Sequence, residues 1–361
     1  MAVSRINEAG LNVNQYGNRN VIINGAMQVA QRGTSSTGLG ASGGYFVLDR
    51  YNFIPGNSAG RLTMTQDSDA PDGFGSSLKL ACTTADTSIA AGEYAILAQY
   101  LEGQDVQRFK KGTSAAEEIT VSFYVKGNAT ATYTVELEDN GNGRYNSQEF
   151  AVTTGWTRVI KTFAADTTGA LTNDNANRLR LNFWIHAGSS YTGGDHTDNV
   201  WHTTANKRVG DNATSFYDST SRTLQITGLQ MEVGDTATDF EHRTFGDELQ
   251  RCKRYFESKS FTTFVEIGYS NGTTSAHCIL PFLEKRAAPT VTLPTAGQST
   301  NQLSFRTPTG ANPSTTGSNS VYDLTTTQGR IQGASYAGLT AGGVSSLYLN
   351  GTASVTFDAE L

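Results

Sequence analysis

The sequence predicts an all-β protein with a jelly-roll β-sandwich, a short connector helix and a smaller β-rich C-terminal domain. Its polarity comes mainly from Thr, Ser, Asn and Gly, because charged residues make up only 17% of the chain. Thr suits a pleated sheet, whereas Gly and Asn suit turns. Short segments of alternating apolar and polar residues recur along the chain, with turn residues between them. Helical periodicity is confined to one segment near residue 250.

Composition also limits the classes of partner. The chain has 361 residues, of which 10% are aromatic, so it is long enough for two or three domains and apolar enough to fold. A net charge of −6 argues against a nucleic-acid-binding surface. No apolar run reaches the roughly 18 residues of a membrane span, and the N-terminus lacks the apolar core of a secretory signal. We therefore expect neither nucleic-acid binding nor membrane insertion.

The three cysteines, Cys82, Cys252 and Cys278, are widely spaced and odd in number. This pattern does not build a disulfide framework. We expect buried thiols that pack as small apolar side chains. A chain with such cysteines is typical of synthesis in a reducing cytoplasm.

The N-terminal residues 1–18 are polar and show no periodicity, so we predict a docking arm outside any core. The sandwich domain is predicted at 19–243. It opens at 21–29 with an expected short strand, the Asn24-Gly25 turn, and alternating Met27 and Val29. A second strand is expected at 45–54, where aromatic residues fall on both faces.

Further strands are predicted along the rest of the sandwich domain, and they indicate its architecture. The alternation is clearest in 118–127 and 178–188, where every second residue is apolar. A period of two packs one face of a strand against a core. About ten antiparallel strands over roughly 220 residues predict a jelly-roll sandwich. The segments are 61–66, 77–83, 93–101, 118–127, 131–139, 144–152, 157–165, 178–188 and 223–233.

A connector helix is predicted at 244–260, before a C-terminal oligomerisation or tip domain at 261–361. Thr244 and Asp247 can form a capping box at the start of this helix. The C-terminal domain alternates in short segments but has few large apolar residues, so we expect association between subunits to stabilise it. The apolar stripe predicted for the helix is Phe245, Leu249, Cys252 and Phe256.

Four segments of the chain carry a family resemblance: NVIINGAMQVAQRGTS, LDRY, LQMEVGDTATDFEHRTFGDELQRCKRYF and RAAPTVTL. They resemble, over residues 20–293, bacteriophage tail-fibre or other virion-surface proteins with a carbohydrate-binding-module-like jelly-roll domain. The part at 226–256 is the most specific. The resemblance implies a virion protein made in the bacterial host cytoplasm, a homotrimer, and docking to other virion proteins through the N-terminal arm. It also implies that the partner outside the virion is a host-surface polysaccharide.

The sequence carries no familiar catalytic motif. It lacks GxSxG, HExxH, a P-loop and a CxxC pair. A glycosidase needs two carboxyl groups about 5–10 Å apart, which sequence does not place. The repeats of depolymerase β-helices are also absent. We expect no catalytic residue, no cofactor and no enzymatic activity.

The segment 186–218 is the richest in polar and aromatic residues. Aromatic rings pack on the apolar faces of sugars while polar groups bind the hydroxyls, and long loops between strands often carry function. The alternative is a structural loop that its aromatic residues pin to the sandwich or to a neighbouring subunit. A metal site at His196 and His202 would require the two rings to converge. The predicted glycan-binding residues are Tyr191, Asp195, Asp198, Trp201, Arg208 and Tyr217.

Asp235, Asp239 and Glu241 are candidates for Ca²⁺, because this ion takes hard oxygen ligands. Their spacing does not match an EF-hand loop, and a solvated turn explains the same residues. We therefore predict no bound metal ion.

Together with these patterns, the resemblance favours a non-enzymatic phage tail fibre that binds a glycan on the host surface. The first alternative is a head fibre or capsid decoration protein with a purely structural role. The second, from another class, is a hydrolase of host-surface polysaccharide.

Overall fold

The structure is a computed structural model that describes residues 17–261, 264–296, 302–307, 318–336, 338–350 and 353–361. Residues 1–16, which hold most of the predicted docking arm, lie outside the described residues. Regular structure in the described part is nearly all β, as the sequence predicts. The chain divides into two compact units, Met1–Glu248 and Leu249–Leu361. None of the helices in the described ranges has the length and apolar character needed to cross a membrane.

The first unit is a sandwich of two antiparallel sheets. Its strands are β1 (Ser35–Leu39), β2 (Gly44–Tyr45), β3 (Asn52–Gly56), β4 (Arg61–Asp67), β5 (Ser77–Thr84), β6 (Tyr94–Glu102), β7 (Ile119–Gly127), β8 (Ala131–Asp139), β9 (Arg144–Val152), β10 (Thr157–Phe163), β11 (Asn177–Ala187) and β12 (Thr223–Val233). In the described residues, the back sheet has the order β1-β4-β5-β12-β7-β10 and the front sheet the order β2-β3-β6-β11-β8-β9. The chain changes sheet repeatedly, for example from β5 to β6 and again to β7, which is the winding of a jelly roll.

The core of this unit lies between the two sheets. In β7 every second residue from Ile119 to Val125 belongs to one buried apolar cluster, and in β11 the same holds from Leu179 to Ile185. Phe123 packs edge-to-face on Phe183, with ring centroids 5.0 Å apart. The predicted alternation is therefore confirmed, and it leaves the other face of each strand for polar and aromatic residues.

The strand predictions from 61–66 onward are confirmed within two residues at each boundary, but the first two are wrong. Residues 21–29 form no strand, because Asn24 and Met27 have φ angles of 60° and 57°. The Asn24 side chain also takes both backbone groups of Val29, donating to its O at 2.8 Å and accepting from its N at 2.9 Å. The segment 45–54 is split between β2 and β3.

The segment after β12 holds the N-terminal residues against this strand. The Asn20 backbone N donates to Glu241 Oε2 at 2.9 Å, and Asn20 Oδ1 accepts from Met231 N at 3.0 Å. The Arg243 guanidinium donates to the backbone O atoms of Asn20 and Ile22. The first and third of the segments quoted above therefore belong to one hydrogen-bonded structure.

The second unit contains two further antiparallel sheets. Its strands are β13 (Phe256–Phe261), β14 (Phe264–Ser270), β15 (Ala276–Pro281), β16 (Thr290–Thr292), β17 (Gln302–Arg306), β18 (Ser318–Tyr322), β19 (Gln328–Ala334), β20 (Val344–Asn350) and β21 (Ala353–Asp358). In the described ranges the sheet orders are β13-β21-β16 and β17-β20-β14-β15-β19-β18. A separate apolar core includes Phe282 against Phe357 and Phe305 against Tyr336. β13 and β19 are additional to the strands predicted from sequence.

The connector helix α2 (Phe245–Lys253) is shorter than predicted. It begins with the expected cap, since Thr244 Oγ1 accepts from the Asp247 backbone N at 3.2 Å. The predicted apolar stripe is wrong at both ends, because Phe245 is 56% exposed and Phe256 lies in β13, paired with β21. The division between the compact units falls inside α2, and the four-part division of the chain stays a prediction.

The three cysteines are buried free thiols, as predicted. Burial raises the pKa of Cys278 to about 12. Its sulfur is therefore protonated at neutral pH, and a protonated thiol is a poor nucleophile and a poor metal ligand.

Candidate functional site

The outer face of the front sheet is polar and aromatic. Alternation in β11 puts Arg180, Asn182 and Trp184 on this face, because the residues between them belong to the core. In the neighbouring strands, Ile96 of β6 pairs with Trp184 and Glu136 of β8 pairs with Asn182. Side chains from several strands therefore meet on one surface.

A pocket of about 130 Å³ opens on this face. That volume corresponds to about four water molecules. The strands β3, β6, β8 and β11 supply most of the lining, and the long loop between β11 and β12, residues 188–222, supplies Tyr191 and Arg208. The lining residues are Ile54, Tyr94, Ile96, Glu138, Arg180, Asn182, Trp184, Tyr191 and Arg208.

Three aromatic rings form one side of the pocket. Tyr191 lies in α1 (Ser189–Thr192), a single helical turn at the start of the long loop. Its ring centroid is 5.1 Å from that of Trp184 and 5.3 Å from that of Tyr94. The two tyrosines are half-buried and Trp184 is buried. The pocket thus presents ring surface that its neighbours hold in place.

Arg208 forms the centre of a buried charged network. Its Nε and Nη2 donate to the two Glu136 carboxylate oxygens at 2.8 and 2.7 Å, and Nη2 also donates to Glu138 Oε2 at 3.0 Å. The guanidinium carbon lies 4.0 Å from the ring centre of Tyr145 and 4.8 Å from that of Trp184. Burial opposes the charge, but the two carboxylates raise the pKa of Arg208 above its usual value. Arg208 therefore stays charged and keeps the long loop on the sheet.

Asn182 also belongs to this network, and one atom of its side chain has no hydrogen-bond partner there. Its Nδ2 donates to Glu136 Oε2 at 2.9 Å and to Glu138 Oε2 at 2.8 Å. Its Oδ1 is buried and has no hydrogen-bond partner in the part of the chain that the structure describes. A buried polar atom without a partner is costly. Asn182 thus contributes to the pocket lining a side chain with one acceptor still unpaired in the described residues.

The long loop is a docked structure. It forms a bridge with β9, in which Tyr145 and His202 exchange backbone hydrogen bonds of 2.8 and 2.9 Å. Asp198 Oδ1 accepts from the Glu149 backbone N at 3.0 Å and lies 2.9 Å from His196 Nε2. These contacts place one part of the loop over β9 and leave the pocket beside it.

Among the predicted site residues, Tyr191 and Arg208 line the pocket. Trp201 packs against the core, and its Nε1 donates to the Ala164 backbone O at 2.7 Å. Tyr217 is fully buried, and its burial raises the pKa of its hydroxyl. Neither ring is therefore placed to stack on a ligand in this pocket.

The remaining predicted polar residues also lie outside the pocket lining. Asp195 is exposed, and Asp198 bonds the backbone of β9 at Glu149. His196 binds the Lys207 backbone O at 2.9 Å through Nδ1, so its ring is already engaged on both sides. A metal site at His196 and His202 would require their ligand atoms to converge. In the described residues, these two histidines do not belong to a group of three side chains whose ligand atoms converge on one point.

The three calcium candidates have other partners. Glu241 is bonded to backbone N–H groups of residues 19 and 20, and although burial raises its pKa, these bonds hold the pKa below the usual value. Asp235 Oδ1 accepts from Thr236 Oγ1 at 3.0 Å. The backbone O of Asp239 accepts from Gln230 Nε2 at 3.3 Å. In the described residues, these three do not form a cluster of metal-ligating atoms.

Sequence reasoning missed most of the pocket because it followed loop composition. The outward residues at 180, 182 and 184 are Arg, Asn and Trp, and the outward set of 93–101 includes two tyrosines. Trp is highly buried on average and Tyr is intermediate, so these rings are unusual on a face that meets only solvent. The same alternation that identified the core therefore contains the signal for the site.

The comparisons with known proteins found similarity among solved structures. No protein-family model matches the chain, and no curated protein matches it. It is similar to a CBM4 carbohydrate-binding module at 12% identity, with a TM-score of 0.29, over 58% of this chain and 97% of that chain.

Two further solved structures are carbohydrate-binding modules. The family 11 module of cellulase Lic26A-Cel5E from Clostridium thermocellum is 12% identical, with a TM-score of 0.28, over 55% of this chain and 92% of that chain. TmCBM61, solved with β-1,4-galactotriose, is 12% identical, with a TM-score of 0.29, over 60% of this chain and 99% of that chain.

The contacts of Trp201 predict that this residue stabilises the fold. We expect Trp201→Ala to lower the free energy of unfolding by about 3 kcal/mol, because it removes a packed ring and a hydrogen bond. Denaturant titration measures this change. Trp156→Ala is the control, since its indole bonds to Asp69 in an exposed setting. A stable Trp201→Ala protein that no longer binds glycan would contradict the prediction.

Proposed function

We propose that this chain is a non-enzymatic bacteriophage virion protein, a tail fibre that binds a host-surface glycan in the front-sheet pocket. The observation that carries the proposal is the combination of fixed aromatic rings with an unpaired acceptor on a residue of the pocket lining. Tyr94 and Tyr191 supply half-buried rings, and Asn182 supplies a buried oxygen without a partner.

This combination suits a neutral sugar. The C–H face of a pyranose is apolar and packs on an aromatic ring, while its hydroxyls both donate and accept hydrogen bonds. Asn182 Oδ1 can accept from one hydroxyl, and Arg180, 25% exposed at its side chain, can donate to another. The small volume fits one ring of a longer glycan, with neighbouring sugars outside the pocket.

The carboxylates of the site favour binding over hydrolysis. A glycosidase needs one carboxyl group to give a proton and a second to act as nucleophile or base. Both Glu136 oxygens are bonded to Arg208, and Glu138 Oε2 is shared between Arg208 and Asn182. These hydrogen bonds already occupy the carboxylate oxygens that face Arg208 and Asn182. Such groups are suited to fixing the pocket rather than to transferring a proton.

The proposal predicts that Tyr191→Ala weakens glycan binding. We expect at least a tenfold loss of affinity, about 1.4 kcal/mol, with little change in melting temperature, because Tyr191 lies on a single-turn helix outside the core. An array of bacterial surface oligosaccharides identifies the ligand, and titration calorimetry measures the affinity.

Tyr124→Ala is the matched control, because Tyr124 is also half-buried but lies on the back sheet, against Phe74. Its affinity should equal that of the unmodified protein. The proposal fails if no oligosaccharide binds the unmodified chain, or if both variants bind equally well.

The fibre role predicts the behaviour of particles that lack this chain. We expect such particles to remain intact but to lose adsorption to host cells. Loss of capsid stability would instead indicate a decoration protein. Release of reducing sugar from host polysaccharide by the purified chain would indicate a hydrolase.

A homotrimer joined through the second unit is also part of the proposal. Ile267, Tyr269, Ile279 and Val344 share one face of the larger sheet and are each more than half exposed. Contiguous exposed apolar surface is typical of protein interfaces. This face is therefore the surface that we expect to be covered by another subunit.

The face predicts a change in oligomeric state on charge insertion. We expect the full chain to be a trimer by light scattering at micromolar concentration, and the double variant Ile267→Lys/Ile279→Lys to be monomeric. Ile160→Lys is the control, because Ile160 is 49% exposed on the sandwich. A monomeric unmodified chain would refute the trimer.

A further inference from the structure

A cluster of buried polar side chains lies beside the pocket, at one end of the front sheet. Asp86, Glu93 and His186 are 7%, 8% and 2% exposed. One ligand atom from each lies within 4.8 Å of the other two. Asp86 lies between β5 and β6, Glu93 directly precedes β6, and His186 lies near the end of β11. Three separate parts of the chain therefore converge on one point.

Two atoms of this cluster face each other without a hydrogen bond. His186 Nε2 and Glu93 Oε2 are 3.5 Å apart, and neither has a hydrogen-bond partner in the described part of the chain. This separation is long for an N–H···O bond. Burying a carboxylate without a counter-charge is costly, so the geometry calls for a cation between the two atoms.

The hydrogen bond at Nδ1 fixes the orientation of the His186 ring. Nδ1 lies 2.8 Å from Ser215 Oγ, which also accepts from the Tyr217 backbone N. With the proton on Nδ1 and donated to Ser215, the Nε2 lone pair points toward the two carboxylates. This is the ring orientation of a metal-binding histidine.

We propose that Asp86, Glu93 and His186 bind a divalent transition-metal ion, with Zn²⁺ as the representative. Two ligands about 2.1 Å from a tetrahedral Zn²⁺ are about 3.4 Å apart, close to the 3.5 Å between His186 Nε2 and Glu93 Oε2. Imidazole nitrogen suits Zn²⁺ and its neighbours, whereas Ca²⁺ takes oxygen.

Asp86 is oriented as a ligand of such a site would be. Its Oδ2 accepts from Ser58 Oγ at 2.8 Å and from the Ala59 backbone N at 2.7 Å. These bonds fix the carboxylate while leaving lone pairs for a metal ion. The protein thus supplies three ligands together with supporting bonds to Asp86 and His186.

A metal ion here would also fix one wall of the pocket. Glu93 directly precedes Tyr94, and His186 follows Trp184 by two residues along β11, after an irregularity in its pairing with β6. The Glu93 backbone O accepts from Gly188 N at 2.8 Å, at the start of the turn that carries Tyr191. This effect on the pocket rests on the proposed function, whereas metal binding itself does not.

The test is metal titration of the full chain after removal of metal with a chelator. We expect one Zn²⁺ per chain by calorimetry and a rise in melting temperature on adding Zn²⁺. Co²⁺ should give the visible absorption of a low-coordinate site. Glu93→Gln and His186→Gln should each lower Zn²⁺ affinity at least tenfold.

His202→Gln is the matched control, because His202 is a half-buried histidine of the long loop outside this cluster. It should bind Zn²⁺ like the unmodified chain. Failure to bind Zn²⁺, unchanged affinity in Glu93→Gln, or binding of Ca²⁺ in place of Zn²⁺ would each overturn the proposal. If His186→Gln does not fold, the near-isosteric Glu93→Gln variant and the Co²⁺ spectrum still decide. No sugar is needed, so this result is separable from the glycan test.

Discussion

The pairing of Arg208 with Glu136 and Glu138 is the interaction on which the candidate site depends. Two carboxylates side by side on β8 would repel each other, and burying them would cost several kcal/mol each without a counter-charge. Arg208 supplies that charge from the long loop, in a bidentate geometry that fixes its position. The same contact therefore compensates the two carboxylate charges on β8 and helps to hold the loop that carries Tyr191 beside Trp184. It adds to the backbone bonds that hold the turn of Tyr191 beside β6.

Rigidity comes from strands rather than from loop composition. Most of the pocket lining belongs to β3, β6, β8 and β11, whose inner faces pack in the core. A binding surface on such strands loses little conformational entropy when a ligand binds. The proposed metal cluster lies where β6 begins and β11 ends, at one end of the front sheet, and the N-terminal segment is bonded along β12. The sandwich thus fixes its irregular segments by buried polar contacts.

Much of the fold followed from local pattern. Period-two alternation located the strands from 61–66 onward, because each must bury one face. The pattern failed at 21–29, because the Asn24 side chain hydrogen-bonds the backbone N and O of Val29, which a neighbouring strand would otherwise pair with. It failed again at the end of α2, because pairing with β21 removes Phe256 from the helix. In both cases a contact distant in sequence, or a side chain competing with the ladder, outweighed the local preference.

By itself the sequence determined the all-β class, the sandwich strands from 61–66 onward and the buried thiols. It also identified the long loop as the segment richest in polar and aromatic residues. Each of these depends on the residue types within a short window and on burial of one face. The tertiary structure alone decided which aromatic residues serve the core and which line the pocket. Trp201 and Tyr191 are both aromatic residues of the long loop. Trp201 donates a hydrogen bond to the Ala164 backbone and packs against the core, whereas the Tyr191 ring lies beside Tyr94 in the pocket. That difference arises because strands far apart in sequence pair in the front sheet, and no local pattern encodes this pairing.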